Sequence, residues 1–164
     1  MARPRPGVYA GTVTPPERAF LEAARTATLA TIDPDGLPRL VPICFVVGAS
    51  GELLTPLDEK PKTTPDPYRV ARVRDIMERP DVTVLADRWS EDWSELAWLR
   101  LHGRATLMQP GIPGHEPAVG ALRAKYPQYE SHRLENRPII RIDVLRARSW
   151  PTRPLSGASR DSAP

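Results

Sequence analysis

The chain has 164 residues, of which 40% are hydrophobic and 26% charged, and this composition predicts one folded domain rather than a disordered chain. Its net charge of +3 belongs to the two ends, because residues 1–13 supply +2 and residues 151–164 supply +1, so the neutral remainder argues against a nucleic-acid-binding protein. The lack of an apolar run of about 18 residues, of a secretory signal and of a second cysteine predicts a cytoplasmic protein without a membrane span or disulfide.

The first part of the chain predicts a helix followed by an antiparallel meander. Residues 14–17 form a capping box, which starts a helix that runs to Arg25 and buries Phe20 and Leu21. The sequence DPDG at 33–36 predicts a tight turn with glycine at a position of positive φ. Three strands are therefore expected, at residues 27–32, 37–47 and 53–57.

Two prolines in the second of these strands, Pro38 and Pro42, indicate its place in the sheet. Residues of equal parity direct their backbone amides to the same side of a strand, so two hydrogen-bond donors are missing from one edge. That edge is expected to face solvent or something other than a pairing strand. A plain edge strand is the commoner explanation, and a bound planar ligand is the alternative.

The second part of the chain predicts two helices and three further strands. A helix that begins at Asp66 and ends before Pro80 leaves Arg69 and Arg72 among its solvated residues. Its apolar stripe consists of Val70, Val73, Ile76 and Met77. A wet loop at 88–95 follows the first strand, and a short helix is expected at 117–126. The strands are expected at residues 81–87, 97–108 and 138–146.

These elements predict a mainly β (α+β) fold. Six antiparallel strands with a few short flanking helices suggest a small six-stranded barrel rather than an array of parallel strands and crossover helices. The domain is expected to occupy residues 14–150, between a flexible N-terminal tail at 1–13 and a disordered C-terminal tail at 151–164.

A loop between the third strand and the second helix contains the strongest candidate for a ligand site. Only three of the 23 basic residues are lysines, and two of them, Lys60 and Lys62, are two residues apart in the sequence DEKPK. Because an ammonium group is a compact point charge and the helix that follows has a partly positive N-terminus, this loop predicts an anion site. An ordinary solvated loop is the alternative.

No catalytic apparatus can be identified in the sequence. His102, His115 and His132 lie far apart and share no spacing with Cys44, so a metal site is not expected. Nucleophile-elbow, P-loop and dinucleotide-binding motifs are missing, and no carboxylates form a recognisable acid–base pair. The catalytic residues are therefore unknown, and the protein is expected either to bind a ligand or to use a cofactor that brings its own chemistry.

Four stretches in a characteristic order give the chain a family resemblance. They are ATLATIDPDGLPRLVPICF, LLTPLDEKPK, VLADRWSEDWSELAWLRLHGRA and LRAKYPQY; they lie between residues 27 and 129, and the resemblance covers roughly residues 15–150. The chain resembles the pyridoxamine-phosphate-oxidase-like split-barrel superfamily, and within it the branch of deazaflavin (coenzyme F420)-dependent oxidoreductases.

The resemblance implies a homodimer with the cofactor at the subunit interface. It assigns Val41, Pro42 and Ile43 to the cofactor ring, Thr55, Lys60 and Lys62 to its phosphate, and Arg88 and Trp89 to the site of the other subunit. Two departures argue against activity on vitamin B6. Asp58 and Glu59 precede Lys60 where the oxidases carry a Ser-Arg-Lys-like loop, and the C-terminal arginine and tryptophan pattern of those enzymes has no clear counterpart.

The function expected from this resemblance is hydride transfer between a deazaflavin and a small or planar organic substrate. Coenzyme F420 is the expected cofactor and FMN the alternative, because both carry a tricyclic ring and a phosphate. Two other functions fit the same residues. The protein is a non-catalytic carrier of the cofactor if it lacks a substrate cavity, or an interaction domain if the two lysines are ordinary surface residues.

Overall fold

The computed structural model describes residues 13–58 and 66–151. Its helices are α1 (Pro15–Ala23), α2 (Ala71–Glu78) and α3 (His115–Lys125). Its strands are β1 (Ala27–Ile32), β2 (Pro38–Ile43), β3 (Val46–Val47), β4 (Leu53–Pro56), β5 (Asp81–Arg88), β6 (Ala97–Met108) and β7 (Ile139–Trp150). Short 3-10 turns lie at Pro67–Arg69, Trp93–Glu95, Pro127–Ser131 and Leu134–Asn136. In the described part of the chain, no helix is long and apolar enough to cross a membrane.

The seven strands form one antiparallel sheet in the order β2-β1-β5-β6-β7-β4-β3. Its two edge strands, β2 and β3, are consecutive in the chain and are separated by only Cys44 and Phe45. Three Cα–Cα steps cannot span more than about 11 Å, so the two edges must lie side by side at this point. The sheet is therefore curled into a half-barrel that is split between β2 and β3.

The core has two parts, one on each face of the curled sheet. Inside the half-barrel, alternate residues of the strands pack together with Phe20 and Leu21 of α1. From Ala97 to Thr106 the residues of β6 alternate, with the inward ones buried and the outward ones not. Outside the half-barrel, α3 covers β3 and β4 through a second cluster that includes Leu122 and Tyr129.

The predicted antiparallel fold is confirmed, but the number of strands is wrong. The segment 37–47 forms two strands, because the backbone of Phe45 bonds to a side chain rather than to a neighbouring strand. The amide of Phe45 donates to Tyr126 Oη over 3.1 Å, and Tyr126 Oη lies within hydrogen-bonding distance of the carbonyl oxygens of Phe45 and Arg25, at 2.8 and 2.9 Å. Tyr126, directly after α3, thus fixes the break between the two edge strands.

Three element boundaries and one core assignment also differ from the predictions. α1 ends at Ala23, α3 begins at His115, and β7 continues to Trp150 because it pairs with β6 to its end. Met77 was expected in the apolar stripe of the second helix but is 67% exposed. The helix begins later than predicted, after a 3-10 turn. Val73 and Ile76 of the predicted stripe are buried, and Asp75, which was not predicted, is buried with them.

Gly103 is required where β6 and β7 approach each other next to an irregularity in their register. A Cβ at this position would lie 2.6 Å from the carbonyl oxygen of Asp143 and 2.7 Å from Ile142 Cγ2. Because backbone cannot move aside like a flexible side chain, we expect Gly103→Ala to lower the free energy of unfolding by about 1–3 kcal/mol in a urea titration. Gly120→Ala is the matched control, because a Cβ added at this site in α3 would meet no described atom within 4 Å outside the nearby backbone of its own helix. We expect this variant to raise the free energy of unfolding by about 0.5–1 kcal/mol.

Candidate functional site

The free edge of β2 is the first part of the candidate site. Pro42 pairs with Thr28 and Pro38 with Ile32, and because proline has no N–H these pairs cannot be hydrogen-bonded. The polar backbone groups of Pro38, Leu40 and Pro42 therefore point away from β1, which confirms that β2 is an edge strand. Along this stretch the edge offers three carbonyl acceptors and only the Leu40 amide as a donor.

The residues predicted to contact a cofactor ring lie at the end of this strand. Val41 is half-buried, Pro42 is exposed and Ile43 is buried, so only the first two have side-chain surface available to a ligand. Arg39, two residues earlier, donates a hydrogen bond from Nε to Asp75 Oδ2 over 2.9 Å. This ion pair ties β2 to α2 and so fixes the position of the edge.

A half-buried arginine, Arg72, lies where the predicted phosphate loop begins. Asp58 is the last described residue before residues 59–65, and its negative charge favours the charged form of Arg72. Burial nevertheless lowers the pKa of Arg72 from its ordinary value. Its Nε atom is buried and has no hydrogen-bond partner among the described residues. A buried N–H donor is normally paired, so an unpaired one on a cation marks a place for an anion.

Tyr129 and Arg137 hold the backbone and side chain of Asp58. Tyr129 Oη donates to Asp58 Oδ2 over 3.3 Å, and Arg137 Nη1 donates to the carbonyl oxygens of Leu57 and Asp58 over 3.3 and 3.4 Å. Burial is the main cause that raises the pKa of the Tyr129 hydroxyl. Tyr129 therefore stays a neutral donor to Asp58, and the start of the loop has a fixed position.

The remaining residues assigned to the phosphate are placed less directly. Thr55 is 1% exposed and points inward like Leu53 and Leu57, two residues before and after it. Its hydroxyl therefore faces the core inside the half-barrel. Lys60 and Lys62 lie outside the described residues. The contact of these three side chains with a phosphate stays a prediction.

Arg88 and Trp89 lie at the other side of the same sheet end. Thr28 of β1 pairs with both Pro42 and Leu85, so β5 runs two strand spacings, about 10 Å, from β2. Arg88 is held by Glu95, whose carbonyl oxygen accepts a hydrogen bond from Nε over 2.9 Å. Trp89 is 70% exposed. Both line an open cleft of about 380 Å³ together with Asp87, Leu96, Ala97, Trp98 and Trp150.

The structure therefore brings together two groups of the predicted residues. One end of the sheet carries Val41, Pro42 and Ile43 together with Arg88 and Trp89. Thr55 lies in β4, on the side of the split that leads to Asp58. The sequence interpretation missed Arg72, which was placed among solvated helix residues, and Tyr129. No spacing in the sequence marks either of them, because both become neighbours of Asp58 only in the folded chain.

The histidines do not form a metal site. Among residues 13–58 and 66–151, no group of three or more histidine, cysteine, aspartate or glutamate side chains could hold a metal ion. The Nε2 atom of the buried His115 lies 2.7 Å from the Arg137 carbonyl oxygen, and Nδ1 of His102 lies 2.9 Å from the Thr83 hydroxyl.

Comparison with known proteins agrees with this geometry. Residues 13–151 match the family model described as pyridoxamine 5'-phosphate oxidase. No curated protein sequence matches the chain. Among solved structures, the chain is similar to a conserved hypothetical protein from Mycobacterium tuberculosis, with 24% identity, a TM-score of 0.68 and 92% of each chain covered.

Two further structures share the fold but bind different ligands. One is a FAD-binding protein from Mesorhizobium loti, with 20% identity and a TM-score of 0.57 over 79% of this chain and 88% of that one. The other is the haem storage protein HutZ from Vibrio cholerae, with 14% identity and a TM-score of 0.63 over 83% of this chain and 93% of that one. At these identities the likeness supports the fold alone.

Proposed function

The chain belongs to the pyridoxamine 5'-phosphate oxidase family, and we propose that it is an oxidoreductase that binds a phosphate-bearing flavin or deazaflavin. The observation that carries the proposal is the buried Nε of Arg72, which has no partner among the described residues and lies beside Asp58, where the loop with Lys60 and Lys62 begins. A cation in this position would hold a phosphate, and the two lysines would add to its attraction.

The edge of β2 would hold the ring of the cofactor. One of its carbonyl acceptors can pair with the N–H group of a tricyclic ring, and the Leu40 amide can donate to a neighbouring ring oxygen. The exposed ring of Pro42 and the half-buried side chain of Val41 supply an apolar surface next to this edge. The bound ring supplies the hydride chemistry, and the protein orients it and keeps water away from one face.

We propose coenzyme F420 as the cofactor and FMN as the alternative. The sequence resemblance favours F420, which continues beyond its phosphate into an anionic oligoglutamate tail. Arg69, exposed in the 3-10 turn before α2, supplies positive charge near that end of the site. Attraction of this kind weakens with salt, since the screening length is about 10 Å at 0.1 M.

We also propose that the protein is a homodimer with a cofactor site at the interface. Leu37 and Leu40 are each 62% exposed beside the free edge of β2, and Trp93 is 74% exposed in the loop after β5. Exposed apolar and aromatic side chains, here on an edge strand and in a loop, are typical of a protein interface. Light scattering at micromolar concentration should give twice the chain mass, and a stable monomer would contradict the interface.

The cofactor is tested by competition. We expect cofactor-free protein to bind F420 more tightly than FMN at low and moderate salt, with the difference shrinking as salt rises, measured by fluorescence and absorbance titration. Tighter binding of FMN at both salt concentrations would move the protein to the flavin branch. Haem is the control ligand: a haem complex without binding of either tricyclic cofactor would overturn the proposal.

A further inference from the structure

Three exposed arginines, Arg100, Arg146 and Arg148, lie close together on the outer face of the sheet. Arg100 of β6 lies directly opposite Arg148 of β7, and His102 lies opposite Arg146. None of the three arginines forms an ion pair with another described residue, although all are exposed. Like charges placed directly across two strands repel each other, so this arrangement is unfavourable unless an anion lies between them.

Other arginines on the same face do have carboxylate partners. Arg104, on β6, lies 3.9 Å from Asp81, and Arg141, on β7, donates to Asp143 over 2.9 Å. The unpaired arginines are therefore not a general property of this surface. The arginines also affect His102: its pKa is lowered by burial and then by the charges of Arg146 and Arg100.

An aromatic surface lies next to the unpaired arginines. Trp98 lies directly opposite Trp150, one strand repeat from the Arg100–Arg148 pair, and the guanidinium of Arg100 lies 5.7 Å from the centre of the Trp98 ring. With Trp89, these indoles line the cleft of about 380 Å³. In the described part of the chain, ring-to-ring contacts involve only tyrosines and His132, so the indole faces are not stacked on one another.

From this juxtaposition we propose that the outer face binds an aromatic carboxylate. Its ring would lie in the tryptophan cleft and its carboxylate between Arg100 and Arg148, which offer fork-shaped donors suited to that group. Asp87 lies directly opposite Trp98 on β5, so its charge disfavours an anion at that end of the cleft and leaves the Arg100–Arg148 end for the carboxylate. Arg88 does not compete for the carboxylate, because its head group is bonded to Glu95.

A second copy of the chain fits this strip less well. If a twofold axis passed through these arginines, the same surface of the other copy would lie against it, and Arg100 and Arg148 would face other arginines. The cleft contains Arg88 and Trp89, which are also assigned to the cofactor site of the other subunit, so the two ligands must be tested separately. Cofactor-free protein is therefore the right material for the test with the aromatic carboxylate, and failure of one proposal leaves the other measurable.

The test compares 2-naphthoate with the uncharged 2-naphthamide by equilibrium dialysis. We expect the carboxylate to bind at least about tenfold more tightly than the amide, and Arg100→Gln or Arg148→Gln to remove that preference. Trp98→Leu should weaken both ligands by similar factors, because it removes the ring surface and not the charge. Arg104→Gln is the matched control and should leave both affinities unchanged.

Three outcomes would overturn the proposal. They are no saturable binding of 2-naphthoate at millimolar concentration, equal affinities for the acid and the amide, and an equal loss in Arg104→Gln. If 2-naphthoate fails to bind and Arg148→Gln also changes the oligomeric state, the proposal is wrong and the face is an interface between two copies. Thermal melting of each variant checks that these exposed substitutions leave the fold intact.

Discussion

Replacing Arg72 with alanine is expected to weaken binding of the phosphate-bearing cofactor by about ten- to a hundredfold. The guanidinium is largely buried and its Nε has no partner among the described residues, so its free donor is available to a phosphate oxygen. Hydrogen bonds to charged groups are worth about 1.5–3 kcal/mol, which corresponds to that change in affinity. Fluorescence titration of cofactor-free protein with F420 and with FMN measures the loss.

The matched control for Arg72 lies two residues further on in the same helix. Arg74 is exposed, so Arg74→Ala removes the same charge from α2 without touching the candidate site, and its affinity should change little. Lys60→Ala and Lys62→Ala should each weaken binding in the same direction as Arg72→Ala. Equal losses in the Arg72 and Arg74 variants would mean that only the overall charge of the helix matters, and would remove the phosphate site from this position.

The difference between the prediction and the structure at the site has a physical cause. The two prolines of β2 correctly predicted that it is an edge strand, because a missing amide donor is a local property of the residue. The capping box before α1 was likewise readable, and the structure contains it. These features depend on a few neighbouring residues and need no knowledge of packing.

Features that depend on distant parts of the chain could not be predicted in this way. The strand expected at 37–47 is interrupted because Tyr126, on a helix some eighty residues later, bonds to the backbone of Phe45. Arg72 looked like a surface residue, because its sequence neighbours do not reveal that Asp58 and Tyr129 lie beside it. Asp75 was not singled out at all, although it is among the few buried charged residues of the described chain.

Asp75 is expected to contribute more to stability than any other single charged side chain considered above. It is 2% exposed, and its Oδ2 atom accepts hydrogen bonds from the Thr31 hydroxyl over 2.7 Å and from Arg39 Nε over 2.9 Å. These contacts join α2 to β1 and to the edge strand β2. The carboxylate therefore connects the stability of the domain to the position of the residues proposed to hold the cofactor ring.

Asp75→Ala should lower the free energy of unfolding by about 2–4 kcal/mol in a urea titration. Loss of one partner of a buried ion pair can cost about 3–5 kcal/mol, but the side chain of Arg39 is 37% exposed and recovers part of its hydration. Thr31→Val isolates the neutral hydrogen bond and should cost less. If the ion pair also positions β2, Asp75→Ala will weaken cofactor binding in protein that is still fully folded, and Thr31→Val will not. If both variants bind the cofactor with equal affinity, Asp75 contributes to stability only, and the ion pair does not set the position of the edge strand.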